Sequence, residues 1–239
     1  IGTITPLYAL NLSDVLTIKQ KDPESAFDAF EKLYESDPDN ASVQFEFGTF
    51  LAELDQREYF DRAQALLKQA LMNESTIQRL FFYGTFTCRI GYFNESIEAY
   101  TQIIAQKPEQ VPVLYNCGFS LKCAGEFDLA IDIYKKVIEK RPEYEPAHLG
   151  LAFAYLNKGD FYNGWREHEW NLKKQGKYAP EFRSLLSNNA LSNAKVLLRP
   201  EGGLGDTLNF IRYAQRLKHM GAYVIVAIQP ALKSLISNC

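Results

Sequence analysis

Residues 111–144 set a 34-residue spacing that recurs through most of the chain. Leu114, Cys117, Gly118 and Leu121 fall on one face of a first helix, and Gly125 marks a turn. Ala130, Tyr134 and Val137 share a face of a second helix, and Pro142 closes the unit because it cannot continue a helix. Gly118 and Ala130 stand where two helices must approach closely, with larger side chains filling the space beside them. One unit back, residues 77–110 repeat the pattern with Leu80, Tyr83, Gly84, Gly91, Phe93, Ser96, Tyr100, Ile103 and Pro108. Residues 41–76 carry Phe47, Gly48, Leu51, Ala63, Leu67 and Ala70, with a turn lengthened around 56–60 so that the unit runs two residues over. Residues 7–40 are a worn copy whose second helix reads clearly (Ala26, Phe30, Leu33, Pro38) and whose first does not. Forward, residues 145–178 keep Leu151, Ala152, Tyr155, Gly159 and Phe161, then depart with Gly164 and a run from Trp165 to Trp170. A unit of this kind exposes an apolar face alone and becomes stable by stacking on its neighbours.

This pattern resembles the tetratricopeptide repeat. The resemblance implies a mostly α fold, a right-handed solenoid of about five helical hairpins spanning residues 7–178, with the first helix of each hairpin lining a concave side. Repeat positions 2, 5, 6, 9, 12 and 13 point there in that family. In this chain they include Phe45, Thr49, Phe81, Phe82, Arg89, Tyr115, Asn116, Phe119, Lys122, Phe153 and Asn157. The expected groove is aromatic with a few polar handles and would take a protein or peptide. Asn116 has both the donor and the acceptor needed to pair with an extended backbone. The same rings could instead pack against the next helix and never meet a ligand.

Composition narrows the partners. A formal charge of −3 and 46% apolar residues favour real cores over binding to nucleic acid or an anionic surface. No run of 18 apolar residues occurs, so no membrane span is expected, and without a visible secretory signal the expected compartment is the cytoplasm. The four cysteines form no CxxC pair and read as reduced structural thiols, and the three histidines are too scattered for a metal site. His148 and His168 stand at packing positions and read as satisfied, partly buried residues, while Trp165 and Trp170 would cover the last apolar face of the array.

After residue 178 the grammar changes. Residues 179–194, rich in Ser and Asn, read as a linker. A short apolar run over 195–199 suits a buried parallel strand. The loop Pro200-Glu-Gly-Gly-Leu-Gly-Asp206 follows, then an amphipathic helix from Thr207 to about Met220 ended by Gly221. A β-branched stretch over 222–229 and a helix opened by Pro230 complete a βαβ segment of Rossmann-like type. The dinucleotide fingerprint is incomplete, since Leu208 stands where a third small residue is needed and Gln229 where an acidic one is. No phosphate-loop Gly-Lys-Ser/Thr occurs either.

The run Glu201-Gly-Gly-Leu-Gly-Asp-Thr-Leu-Asn-Phe-Ile-Arg-Tyr213, with Gly164-Trp165 and His168-Glu169-Trp170 upstream, is similar to bacterial proteins in which tetratricopeptide repeats run into a heptosyltransferase-like glycosyltransferase domain of the GT-B type. His168 replaces the Tyr usual in that family, and the Pro-x-Trp that commonly precedes the first strand is not recognisable. The resemblance implies that residues 195–239 begin such a domain, with Gly203 and Gly205 turning the loop beside the cleft. It makes Asp206 the base that deprotonates an acceptor hydroxyl and gives Arg212 a contact to phosphate or acceptor. It implies no bound cofactor, only a nucleotide-sugar donor as substrate of the full-length enzyme. An Asp at a helix start is also a good cap, and Arg212 could equally face solvent or an internal partner. Six Lys or Arg against two Asp or Glu over 195–239 would suit an anionic donor. The chain is thus expected to be a piece of a longer repeat-bearing glycosyltransferase, cut at both ends and inactive by itself. The alternative is a non-catalytic scaffold for protein–protein interaction.

Overall fold

The computed structural model describes residues 11–174, 191–200 and 203–236, and the chain divides into two compact units, residues 1–174 and 175–239. In the first unit the 34-residue ruler translates directly into helical hairpins. They pair α1 (Leu12–Lys21) with α2 (Pro23–Ser36), α3 (Ala41–Glu53) with α4 (Phe60–Asn73) and α5 (Ile77–Ile90) with α6 (Phe93–Gln106). The last two hairpins are α7 (Val111–Ala124) with α8 (Phe127–Lys140), and α9 (Glu145–Lys158) with α10 (Phe161–Lys174). Each helix packs on its sequence neighbours, which is the quasi-linear arrangement of a solenoid.

Local chemistry fixes the boundaries. Gly91, Gly125 and Gly159 end α5, α7 and α9 at φ of +92°, +86° and +89°, a left-handed conformation that a side chain would oppose. At the starts, Asn40 accepts from the backbone amides of Ser42 and Val43, Thr76 from that of Arg79, and Asp22 from those of Glu24 and Ser25. The second repeat departs where the sequence says it should. A short 3₁₀ turn at Arg57–Tyr59 precedes α4, so its second helix starts late. The worn first repeat has a short first helix, α1, whose described part still buries Val15 completely.

The core follows from one recurrent contact. Gly48, Gly84 and Gly118 on the first helices lie against Leu67, Tyr100 and Tyr134 on the second helices, each large side chain at most 1% exposed. A methyl group at any of these glycines would come within 2.8–3.1 Å of the facing side chain. Burying each such side chain stabilises the array by about 1.5–3 kcal/mol. Ser96 replaces the usual Ala in the third repeat without harm. Its hydroxyl donates to the Gly84 carbonyl at 2.7 Å and lies 2.8 Å from the Ser120 hydroxyl.

The second unit is smaller and simpler than expected. Strands β1 (Lys195–Leu198) and β2 (Tyr223–Val226) pair in parallel, with Lys195 opposite Tyr223 and Leu198 opposite Val226. The expected single helix is two: α11 (Leu204–Phe210) and α12 (Tyr213–His219), broken at Ile211–Arg212, followed by a turn at Pro230–Leu232 and α13 (Lys233–Ile236). Gly221 has φ +89°, as a helix terminator should. Two corrections follow. The strands are not fully buried but alternate between exposed and half-buried residues, because one face of the ribbon is left open. The parallel βαβ order is as expected, but among the described residues it amounts to two four-residue strands, too few to identify the segment as Rossmann-like. Of the linker read over 179–194, residues 179–190 lie outside the described residues, as does Cys239.

Candidate functional site

The aromatic stripe of the first helices divides into a packed half and an open half. Phe45 and Phe82 meet edge to face at 5.6 Å, Phe81 meets Tyr100 at 5.9 Å, and Tyr115 meets Tyr144 at 5.6 Å and Tyr134 at 6.0 Å. Phe45, Phe81, Phe82, Tyr115 and Tyr144 are half-buried, Tyr100 and Tyr134 fully buried, and all are spent on joining helices. Thr49 is 9% exposed, and its hydroxyl has no partner among the described residues. Arg89 is held from behind. Its guanidinium donates to the Ala52 carbonyl at 2.6 Å and reaches Asp55 at 3.3 Å, which pins the lengthened turn of the second repeat. Asn116 supports the Tyr100 phenol, whose pKa burial raises and which also lies 2.9 Å from the Thr85 hydroxyl.

The open half lies in repeats four and five. Phe119 and Phe153 are 40% and 41% exposed, and the Lys122 ammonium sits 4.5 Å from the first ring centre and 5.7 Å from the second. Lys122, Cys123, Gly125, Phe127, Phe153 and Asn157 surround a cleft of about 450 Å³. Asn157 donates its amide to the Phe153 carbonyl at 2.7 Å, which leaves its side-chain oxygen available at the rim. Lys122 forms no ion pair among the described residues. Its neighbour Lys158 is by contrast paired with Asp128. The structure therefore brings together Phe119, Lys122, Phe153 and Asn157, and leaves Phe45, Phe81, Phe82, Tyr115 and Asn116 in the walls between helices.

Beneath this half lies a polar atom that the repeat pattern did not reveal. The Tyr134 side chain is fully buried and its hydroxyl has no hydrogen-bond partner among the described residues. Burial drives its pKa far upward. The cause is legible one repeat earlier. Around Tyr100, repeat position 9 is Thr85 and position 6 of the next unit is Asn116, and both hold the phenol. Around Tyr134 the same positions are Phe119 and Gly150, which offer it no side-chain oxygen or nitrogen. The ring uses the room that Gly150 leaves: a Cβ there would stand 2.4 Å from its Cζ and 2.8 Å from its hydroxyl.

The end of the array is tied by His148. It is 5% exposed, with Nδ1 at 2.7 Å from Glu167 and Nε2 at 2.8 Å from the Pro142 carbonyl, and it stacks on Trp170 at 3.9 Å. A carbonyl only accepts, so Nε2 carries a proton. His148 is thus a satisfied packing histidine, as its place in the repeat implies. His168 lies between Phe153 and Trp165, edge on to both. Trp165 is 51% exposed, so only Trp170 covers the array in the way expected of both indoles. Arg79 is a residue that the pattern did not single out. It is 9% exposed and links Glu74, Ser42 and the face of Phe45, joining the second repeat to the third.

In the second unit, Asp206 is exposed and accepts the Gly203 amide at 3.0 Å, capping its own helix. Gly203 has an ordinary extended backbone, and nothing lies within 4 Å of where a Gly205 Cβ would be. Arg212 is exposed and leans over Tyr213 at 5.5 Å. Thr207 is the buried polar residue here, donating to Gln229 at 2.9 Å. Among the described residues no group of three or more His, Cys, Asp or Glu could hold a metal, and no helix is long and apolar enough to cross a membrane.

Comparison with known proteins agrees with this geometry. A tetratricopeptide-repeat family model matches residues 124–161. No curated protein matches the sequence. Among solved structures, MamA is similar at 22% identity and a TM-score of 0.58, over 68% of this chain and 88% of that one. A second MamA structure is similar at 22% identity and a TM-score of 0.56, over 70% of this chain and 98% of that one. YrrB, described as a TPR protein with an unusual peptide-binding site, is similar at 15% identity and a TM-score of 0.60, over 70% and 86%. At these identities the likeness is one of fold. The chain has a solenoid fold like that of tetratricopeptide-repeat proteins, and residues 124–161 match their repeat.

Proposed function

We propose that the chain is a non-catalytic protein-binding scaffold that takes a peptide segment across repeats four and five. One observation carries this reading: two large rings, Phe119 and Phe153, stand in solvent beside a cation and an amide at the rim of a cleft. Phe45 and Phe81 are half-buried against neighbouring rings, whereas Phe119 and Phe153 keep about two fifths of their surface exposed. Such a pre-formed apolar site with a few polar handles suits an extended segment. The likeness to YrrB supports the same reading. The test is selection from a random heptapeptide display library on the immobilised chain. Peptides should be recovered, and the double change Phe119→Ala and Phe153→Ala should weaken the best of them about tenfold or more, the loss expected on removing central anchors. Failure to recover any peptide, or binding indifferent to both rings, removes the reading.

A second reading, a sugar transferase in which Asp206 acts as base, draws support from the parallel register of β1 and β2 and from the exposure of Asp206 at the helix start. Against it, this carboxylate is already used as a cap, and the similar structures named above are repeat proteins. In the intact protein, sugar transfer lost in Asp206→Ala with helicity unchanged would support the role, and transfer that persists would end it.

A further inference from the structure

We infer that the segment held in the cleft carries a carboxylate beside an apolar or aromatic side chain, and that Lys122 selects it. This rests on the peptide-binding reading and adds the chemistry of the ligand. The argument is one of charge. The chain as a whole is acidic, at −3, yet in repeats three to five none of the eighteen residues at positions 2, 5, 6, 9, 12 and 13 is Asp or Glu. Two of them are cations, Arg89 and Lys122. Arg89 is committed to Asp55 and the Ala52 carbonyl, so its charge is already answered. Among the described residues Lys122 is answered by the faces of Phe119 and Phe153 and by no carboxylate.

Among the described residues none of the nearby acids is paired with it. Asp128 is paired with Lys158, and Asp160 is bound to the Asn163 amide and side chain as a helix cap. Glu126 is exposed and is not among the residues lining the cleft. A half-buried ammonium set between two rings, with no ion-pair partner among the described residues, attracts an anion more strongly than a freely solvated lysine does. The rings then select what is attached to that anion. An acidic side chain flanked by a large apolar residue satisfies both, and the side-chain oxygen of Asn157 can accept a backbone amide of the same segment.

The experiment uses the same heptapeptide library on three forms of the chain: wild type, Lys122→Glu and Lys122→Gln. All three should fold alike, since Lys122 makes no buried polar contact, and far-ultraviolet circular dichroism checks this. On wild type the recovered pool should be enriched in Asp and Glu by about twofold to fivefold, the range set by a partly exposed ion pair. On Lys122→Glu that enrichment should vanish or turn to Lys and Arg, and on Lys122→Gln it should vanish. Amide replacement of the acidic residue in the best wild-type peptide should weaken it by the same factor on wild type and not on Lys122→Gln. A pool without acidic enrichment, or one unchanged by Lys122→Glu, overturns the charge inference and leaves peptide binding standing. No peptide recovered on any form overturns both.

Discussion

Tyr134 and Tyr100 occupy the same repeat position, are equally buried, and should respond to loss of the hydroxyl with opposite signs. At Tyr100 the oxygen lies 2.9 Å from the Thr85 hydroxyl and is also held by Asn116. Tyr100→Phe removes that bonding and should destabilise the array by about 1 kcal/mol, the usual net worth of a hydrogen bond. At Tyr134 the oxygen has no partner among the described residues, and burying a hydroxyl unsatisfied costs about 1–3 kcal/mol. Tyr134→Phe should therefore stabilise, by about 1 kcal/mol once the small void left by the oxygen is charged against it. The two variants should differ by about 2 kcal/mol, or roughly 4–8 °C in melting temperature for an array of this size. Urea titration followed by circular dichroism, with thermal melts beside it, reads this directly. If Tyr134→Phe loses stability as Tyr100→Phe does, the hydroxyl has a partner, such as a water held beneath Gly150, and the comparison of the two junctions is wrong.

Other outcomes follow from the same geometry. Gly125→Ala should cost about 1–2 kcal/mol through its φ of +86° alone, since nothing lies within 4 Å of the added methyl. Gly150→Ala should cost more, through the clash with Tyr134, and Gly150→Ala combined with Tyr134→Leu should recover part of the loss in a urea titration. Burial pushes the Cys117 thiol up to about 11, so at pH 8 a maleimide should modify Cys117 last among Cys88, Cys117 and Cys123, as read by peptide mass spectrometry. The Asn163 side chain and then its backbone amide hold the Asp160 carboxyl below its ordinary range. A depressed folded-state pKa contributes stability that is present above the unfolded value and lost as pH falls through the folded one. The urea midpoint should thus drop on acidification below about pH 4, and less so in Asp160→Asn, which caps without titrating.

The hairpins were legible because a single backbone requirement recurs: a glycine able to take positive φ, and a small residue facing a large one, at fixed intervals. Tyr134 and Gly84 could be placed from spacing alone. The groove was legible only by position. Spacing says that Phe81 and Phe119 occupy one face, but whether a ring stays open depends on what the neighbouring repeat places beside it. Phe81 meets the Tyr100 ring, whereas Phe119 meets the Lys122 ammonium. Arg89 was read as a handle in the groove, and its capture by Ala52 and Asp55 depends on the inserted turn, whose path no periodicity describes. The βαβ order and the parallel pairing were readable from composition and the glycine loop. The break at Ile211–Arg212 was not, since its apolar residues keep helical spacing across it.

The notch at Gly150 bears on how such an array can change. Repeats built on one ruler look interchangeable, and a whole 34-residue cassette could be cut between Gly91 and Gly125 with both ends meeting in the same left-handed turn. The interior does not share that freedom. Tyr134 advances into the hollow of the fifth unit, while Asn116 and Thr85 secure the ring of the third. Excision between those two glycines would remove Tyr100 and Asn116 and set Tyr134, still over Gly150, beside Thr85, a combination that neither junction now has. Successive units are thus matched as neighbours, and their order along the chain is inherited as part of the fold.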